Sequence, residues 1–161
     1  TGGTWGISPE LSEFVLALEC AQSTEEVVRL YRSLPIASDY PSDFIEKCPS
    51  VINGFTADFV KKNPDFVEFY FRRLTEHPIS KEGAKRQWNA WKQFNTQGRL
   101  PQIKAPTLVL HGKKDFVLPP ENGLILANTI PNARLVYFEK SAHMLAEEME
   151  QVIKVITEFL L

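Results

Sequence analysis

The stretch Pro106-Thr-Leu-Val-Leu-His-Gly-Lys-Lys-Asp115 decides how the rest of this 161-residue chain is read. Its apolar run does not alternate with polar residues and stops at Gly112. That pattern predicts a short parallel strand buried on both faces. A second such run, Arg134-Leu-Val-Tyr-Phe138, follows. Between them Pro119-Pro120-Glu121 starts a helix carrying Leu124, Ile125, Ala127 and Ile130, closed by Pro131-Asn132. Strand, helix, strand at this separation is a βαβ unit, so the strands are expected to be parallel with a right-handed crossover. A last helix from Ala146 to Leu161 gathers Met149, Val152, Ile153, Ile156, Phe159 and Leu160 on one face. Residues 101–161 thus read as a βαβα unit, and the fold class is α/β.

Upstream the rhythm changes. Residues 8–100 read as helices separated by prolines. Ser8-Pro9-Glu10 pairs an N-cap serine with a proline at the first helical position, and Leu11, Phe14, Val15 and Leu18 follow at helical spacing. Ser23-Thr-Glu-Glu26 forms a capping box ahead of Val27, Leu30, Tyr31 and Leu34. Pro35 and Pro41 break the pattern. Asn63-Pro64-Asp65 starts a helix with Phe66, Val67, Phe69, Tyr70, Phe71 and Leu74, which Pro78 stops. That helix is apolar over more than one stripe, so two buried contacts are expected of it. A further helix from about Ser80 carries Ala84, Trp88, Trp91 and Phe94. Nine of the eighteen aromatic residues fall between Phe55 and Phe94. Such a concentration builds either a helical core or a lid that roofs an apolar cavity.

Two strands apolar on both faces are not a viable core alone, because they need neighbouring strands and helical cover. Either the preceding helices fold over them, or the rest of the sheet lies elsewhere. Length alone predicts one domain. Hydrophobic residues make up 43% and charged residues 24% of the chain, which excludes a disordered polypeptide. No uninterrupted apolar run is long enough to cross a membrane as a helix. Two cysteines, Cys20 and Cys48, exclude a disulfide scaffold. Net charge is −2, with 12 basic and 13 acidic residues in 1–100 and 6 and 7 in 101–161, so no basic face for nucleic acid is implied. The opening Thr1-Gly-Gly-Thr-Trp-Gly6 has neither a leading methionine nor a charged signal region. It fits a processed terminus or a cut inside a longer protein.

Ligands of open α/β sheets sit beyond the carboxyl ends of the strands. The loop after the first strand holds Lys113, Lys114 and Asp115, and the loop after the second holds Lys140, Ser141, Ala142 and His143. Adjacent parallel strands bring both loops to one edge. Asp115 and His143 are therefore able to meet across 28 positions of sequence. A carboxylate bound to imidazole Nδ1–H would leave Nε2 as a general base for a hydroxyl nucleophile. On spacing alone, an aspartate such as Asp115 is more often a turn residue, and a lone histidine such as His143 is more often structural.

The strand with its His111-Gly112, two intervening residues and Asp115 resembles the acid-bearing segment of the α/β-hydrolases. Phe116-Val-Leu-Pro-Pro-Glu-Asn-Gly123 is similar to that family's link into its next helix. Ile130-Pro-Asn-Ala-Arg-Leu-Val136 resembles the approach to its last strand. Ser141-Ala-His143, Glu147-Glu148 and the helix ending Glu158-Phe-Leu-Leu161 resemble its histidine loop and terminal helix. Ala142 stands where many members have glycine, and alanine is also small. The resemblance covers 100–161 almost continuously. It implies that residues 8–100 are a helical cap (lid), and that 1–7 are the tail of a core strand and a linker.

The family's nucleophile lies in a Gly-x-Ser-x-Gly elbow that precedes the acid and the histidine. No such pentapeptide occurs in this chain. The resemblance is thus to the C-terminal portion of an α/β-hydrolase, with Asp115 and His143 as catalytic residues and without the nucleophile. Ser141 lies two positions from His143, but its side chain is expected to point elsewhere, so it is not expected to attack. Cys20 and Cys48 are expected to pack, His77 to end a helix and His111 to support the strand end. No metal-ligand spacing and no phosphate loop is present, so no metal or cofactor is expected.

The implied activity is hydrolysis of a small, largely apolar ester, lactone or related carbonyl substrate. Phe69, Trp88 and Trp91 are expected to face the substrate pocket from the lid, and Val117 and Met144 from beside the catalytic pair. The chain alone is expected to be inactive, to be cytoplasmic, to bind neither nucleic acid nor membrane, and to self-associate through an uncovered sheet. The rival is a non-catalytic interaction module or pseudo-hydrolase. An in-frame Gly-x-Ser-x-Gly segment just upstream favours the enzyme, and an initiator codon directly before Thr1 favours the rival.

Overall fold

A computed structural model of the chain describes residues 13, 14, 17, 21–76 and 78–161. The helix start at Ser8, most of the helix assigned after it, Cys20 and His77 lie outside the described residues. Phe14 is described, and it is buried against Tyr31 with ring centroids 5.0 Å apart.

Helix α1 (Thr24–Arg32) starts where the capping box places it. Ser23 Oγ accepts the Glu26 amide at 3.2 Å. The reciprocal arm differs, because Glu26 Oε2 accepts the amide of Gln22 at 2.6 Å. A 3-10 turn (Pro35–Asp39) follows, then three short helices: α2 (Ser42–Lys47), α3 (Val51–Gly54) and α4 (Ala57–Lys62). Two longer helices, α5 (Pro64–Glu76) and α6 (Lys81–Gln93), complete the helical layer. Asn63-Pro64 opens α5, and Ser80 caps α6 by accepting the Gly83 amide at 3.0 Å.

The layer has its own core of Phe14, Tyr31, Ala37, Ile45, Val51, Ile52, Phe55, Val60, Val67 and Phe71. Phe55 is its hub. Its ring stacks on Phe59 and meets Phe66 and Tyr70 edge-on. Phe116, Val117 and Ala146, from the second part of the chain, pack onto this cluster and tie the two parts together. Helix α5 buries one stripe, Val67 and Phe71. Its other apolar residues, Phe66, Phe69 and Leu74, are exposed, so the second buried contact expected of it is not made among the described residues.

Strand β1 (Thr107–Gly112) and strand β2 (Ala133–Phe138) pair in parallel, in register from Thr107 opposite Ala133 to Gly112 opposite Phe138. The crossover helix is α7 (Glu121–Thr129), and the terminal helix is α8 (Met149–Leu160), entered through a 3-10 turn at Ala146–Glu148. Both helices pack on the sheet. Gly123 lets α7 approach β1 closely, since a Cβ there would come within 3.0 to 3.2 Å of the His111 side chain. Helix α8 buries Val152 and Val155 but leaves Met149, Ile153, Ile156 and Leu160 exposed along one stripe. No helix among the described residues is long and apolar enough to cross a membrane.

Candidate active site

The two strands end level with one another, so the loops that follow them leave the sheet at the same height. Backbone hydrogen bonds zip these loops together. The Lys113 amide donates to Phe138 O at 2.8 Å, and the Lys114 amide donates to Ser141 O at 3.0 Å. Gly112 makes this approach possible. A Cβ on it would sit 2.3 Å from Ser141 O and 2.4 Å from Ala142 O, closer than any side chain tolerates.

The approach brings Asp115 and His143 into contact, with His143 Nδ1 2.8 Å from Asp115 Oδ2. The Asp115 side chain is 4% exposed and that of His143 39%. Asp115 Oδ1 accepts the amides of Val117 at 2.8 Å and Leu118 at 2.9 Å. One oxygen is thereby fixed by the backbone, and the other is aimed at the imidazole. A carboxylate only accepts, so Nδ1 carries the proton and Nε2 of the neutral ring is left as a base. The hydrogen bond that Nδ1–H donates to Asp115 pushes the His143 pKa up, desolvation opposes it, and the Asp115 charge adds to the rise. The arrangement holds a protonated imidazole more readily than water does.

His111 has a supporting part. Its Nε2 lies 3.0 Å from Leu118 O, and since a carbonyl only accepts, Nε2–H donates to it. The same nitrogen is 3.5 Å from Asp115 Oδ2. His111 thus braces the loop that presents Asp115, as its place at the strand end led one to expect.

Ser141 is fully buried, and its hydroxyl donates to Glu148 Oε2 at 2.8 Å. Glu148 Oε2 also accepts the Lys140 amide at 2.8 Å. Glu147 accepts the Ala142 amide through Oε2 at 3.2 Å and the Thr56 amide through Oε1 at 2.7 Å. These two glutamates hold the histidine loop from beneath. In the sequence they were visible only as part of a family-like ending. The signal for their role is an acidic pair in the first turn after the loop, where carboxylates reach unpaired amides.

The other residues expected at the pocket are distributed unevenly. Met144 sits beside the pair, its amide donating to Gly54 O at 3.0 Å and its sulfur 3.9 Å from the Tyr70 hydroxyl. Val117 is half-buried against the helical core. Phe69 is 52% exposed, under the Arg72 guanidinium. Trp88 and Trp91 stack on one another at 4.7 Å, and Trp91 is 42% exposed. The α5 residue that reaches Met144 is Tyr70, one position on from Phe69. No group of three or more His, Cys, Asp or Glu side chains suited to a metal ion occurs among the described residues.

Known proteins share both the pattern and the fold. The chain is 35% identical over 98 residues to a 2-hydroxy-6-oxononadienedioate/2-hydroxy-6-oxononatrienedioate hydrolase of Burkholderia vietnamiensis, covering 60% of this chain and 30% of that protein. It is 24% identical over 136 residues to a pimeloyl-[acyl-carrier protein] methyl ester esterase of Legionella pneumophila, covering 80% and 57%. Among solved structures it resembles an enol-lactonase from Burkholderia xenovorans, with TM-score 0.62 and 27% identity over 83% of this chain and 48% of that one. An esterase from Exiguobacterium antarcticum shares the fold with TM-score 0.64 and 24% identity over 92% and 47%. The chain spans less than two thirds of the length of each of these proteins. A family model described as the alpha/beta hydrolase fold matches residues 30–149, most of the chain. With its parallel strand pair and its loop-borne acid and histidine, the chain therefore belongs to the alpha/beta hydrolase fold family.

Proposed function

We propose that this chain supplies the acid and the histidine of a serine-type hydrolase, together with its lid, and that residues 8–100 are that lid. The observation that carries the reading is the Asp115–His143 hydrogen bond of 2.8 Å at the carboxyl edge of the sheet. Asp115 orients the ring and stabilises the imidazolium. His143 Nε2 takes the proton of an attacking serine hydroxyl and then delivers it to the leaving group. Ser141 does not serve as that serine, because its hydroxyl is buried and committed to Glu148. The nucleophile accordingly comes from a Gly-x-Ser-x-Gly segment outside these 161 residues.

The substrate class is a small, largely apolar ester, lactone or related carbonyl compound. The activities of the relatives, which include an enol-lactonase and a methyl ester esterase, support it. The exposed Phe69 and Trp91 and the half-buried Trp88 of α5 and α6 are assigned to the roof of its pocket, with Val117 and Met144 beside the dyad. Cys48 is a free thiol, in keeping with the reducing cytoplasm as the working compartment.

The test is hydrolysis of p-nitrophenyl esters. The 161-residue chain is expected to show no turnover. A longer protein that joins it to an in-frame Gly-x-Ser-x-Gly segment is expected to turn over and to lose activity on His143→Ala. Turnover by the chain itself, abolished by His143→Ala, would overturn the claim that the nucleophile lies outside it.

A further inference from the structure

The segment Gly54-Phe55-Thr56, from the last residue of α3 to the residue before α4, is gripped by three long-range hydrogen bonds. Gly54 O accepts the Met144 amide at 3.0 Å, Phe55 O accepts the Tyr40 hydroxyl at 2.6 Å, and the Thr56 amide donates to Glu147 Oε1 at 2.7 Å. Two of the three come from the histidine loop and the turn that follows it. Gly54 allows the close seat, since a Cβ there would come within 3.1 Å of Met144 Cγ. Glu147 uses its other oxygen on the Ala142 amide, next to His143. One carboxylate therefore spans the helical layer and the residue that precedes the catalytic base.

We propose that Glu147 is a positioning residue that couples the helical layer to the His143 ring, its two oxygens tying the Thr56 amide on one side to the Ala142 amide on the other. This rests on the reading of Asp115 and His143 as triad members. A carboxylate accepting two backbone amides makes charge-assisted bonds, stronger than neutral ones. A shift of the Gly54–Thr56 segment is then passed to Ala142 and on to the imidazole, whose Nδ1 must stay within hydrogen-bond reach of Asp115. Tyr40 belongs to the same junction. Burial, with the charges of Glu147 and Asp39, pushes its phenol well up, so it stays a hydrogen-bond donor to Phe55 O.

The test uses amide hydrogen exchange and the NMR titration of His143 on the 161-residue chain, well below its unfolding temperature. Glu147→Gln keeps the size of the side chain but leaves only one oxygen to accept. Exchange at Thr56 and Ala142 is expected to rise about tenfold or more. The His143 pKa is expected to fall toward that of a free histidine, because the bond to Asp115 loosens. Thr56→Pro removes the donor from the other side. Thr56 has φ −73° and ψ 153° and the preceding Phe55 is extended, so the backbone accepts proline. Thr56→Val, which keeps the amide and loses only the helix cap, is the control. Thr56→Pro is expected to lower the His143 pKa and Thr56→Val to leave it in place. Faster exchange with an unchanged His143 titration in both Glu147→Gln and Thr56→Pro would reduce Glu147 to a structural tie and overturn the proposal. Asp115→Asn separates the two readings. If it leaves the His143 titration unmoved, the dyad itself fails, whatever Glu147 does.

Discussion

Asp115 divides its two oxygens between two tasks: Oδ1 is held by the amides of Val117 and Leu118, and Oδ2 alone faces His143 at 2.8 Å. The ring is thus ordered by a carboxylate that is itself locked, and its pKa is raised mainly by that bond. In an NMR titration His143 is expected to titrate above the ordinary histidine value, and Asp115→Asn to bring it back down. The sign for stability follows. A pKa higher in the folded state contributes stability that is complete below the unfolded value and is lost as pH rises through the folded one. Unfolding curves across that window are expected to show the wild type losing its advantage over Asp115→Asn as pH rises. In a longer protein with the nucleophile, Asp115→Asn is expected to lower kcat by about 10⁴-fold, and activity to rise with pH as His143 deprotonates.

Gly112→Ala attacks the junction of the two loops directly. The new methyl would overlap the carbonyl oxygens of Ser141 and Ala142, both backbone atoms that cannot step aside. A loss of about 3 kcal/mol or more is expected, measured by urea unfolding, with His143 titrating closer to a free histidine.

Phe55→Ala tests the hub of the helical layer. The ring is 1% exposed and touches Phe59, Phe66 and Tyr70. Truncation is expected to cost about 3–5 kcal/mol, read from thermal or denaturant unfolding.

Ser141→Ala separates a structural hydroxyl from a catalytic one. Losing the bond to Glu148 is expected to cost about 1–2 kcal/mol. In the longer protein, hydrolysis is expected to persist. Loss of turnover with the fold intact would make Ser141 part of the chemistry.

The stripe Met149, Ile153, Ile156 and Leu160 on α8 is exposed, and β1 and β2 pair only with one another among the described residues. Apolar faces and unpaired strand edges favour association. Sedimentation of the 161-residue chain is expected to show self-association that Ile153→Lys with Ile156→Lys reduces. A clean monomer at high concentration would count against it.

The βαβα part was legible because each of its elements carries its own punctuation. Gly112 ends the first strand, Pro120 precedes the crossover helix and Pro131-Asn132 closes it, with Asn132 in the left-handed region at φ 60°. The pairing of Asp115 with His143 followed from parallel strands and chain order. The region 35–62 was not legible in detail. Its helices are four to six residues long, shorter than the window over which helical periodicity declares itself. The Glu147 bridge to Thr56 spans 91 positions and depends on how two layers meet, which no local pattern encodes. Phe69 is 52% exposed, and the α5 hydroxyl that reaches Met144 belongs to Tyr70, one position on, a rotation of the helix that residue type alone does not encode. The packing of α5, with Val67 and Phe71 inward, is what turns Tyr70 toward Met144.

The hold on Gly54–Thr56 falls mostly on backbone groups: the Gly54 and Phe55 carbonyls and the Thr56 amide. Side-chain identity at 55 and 56 matters to the local core and cap, but not to these bonds. On the proposed reading of the helical layer as a lid, side chains of that layer could vary while the backbone joint to the Asp115–His143 loops stays the same, provided the core contacts of Val67 and Phe71 are kept. If residues 8–100 are the lid proposed above, the three-residue joint and Glu147 are the part a grafted lid would have to keep.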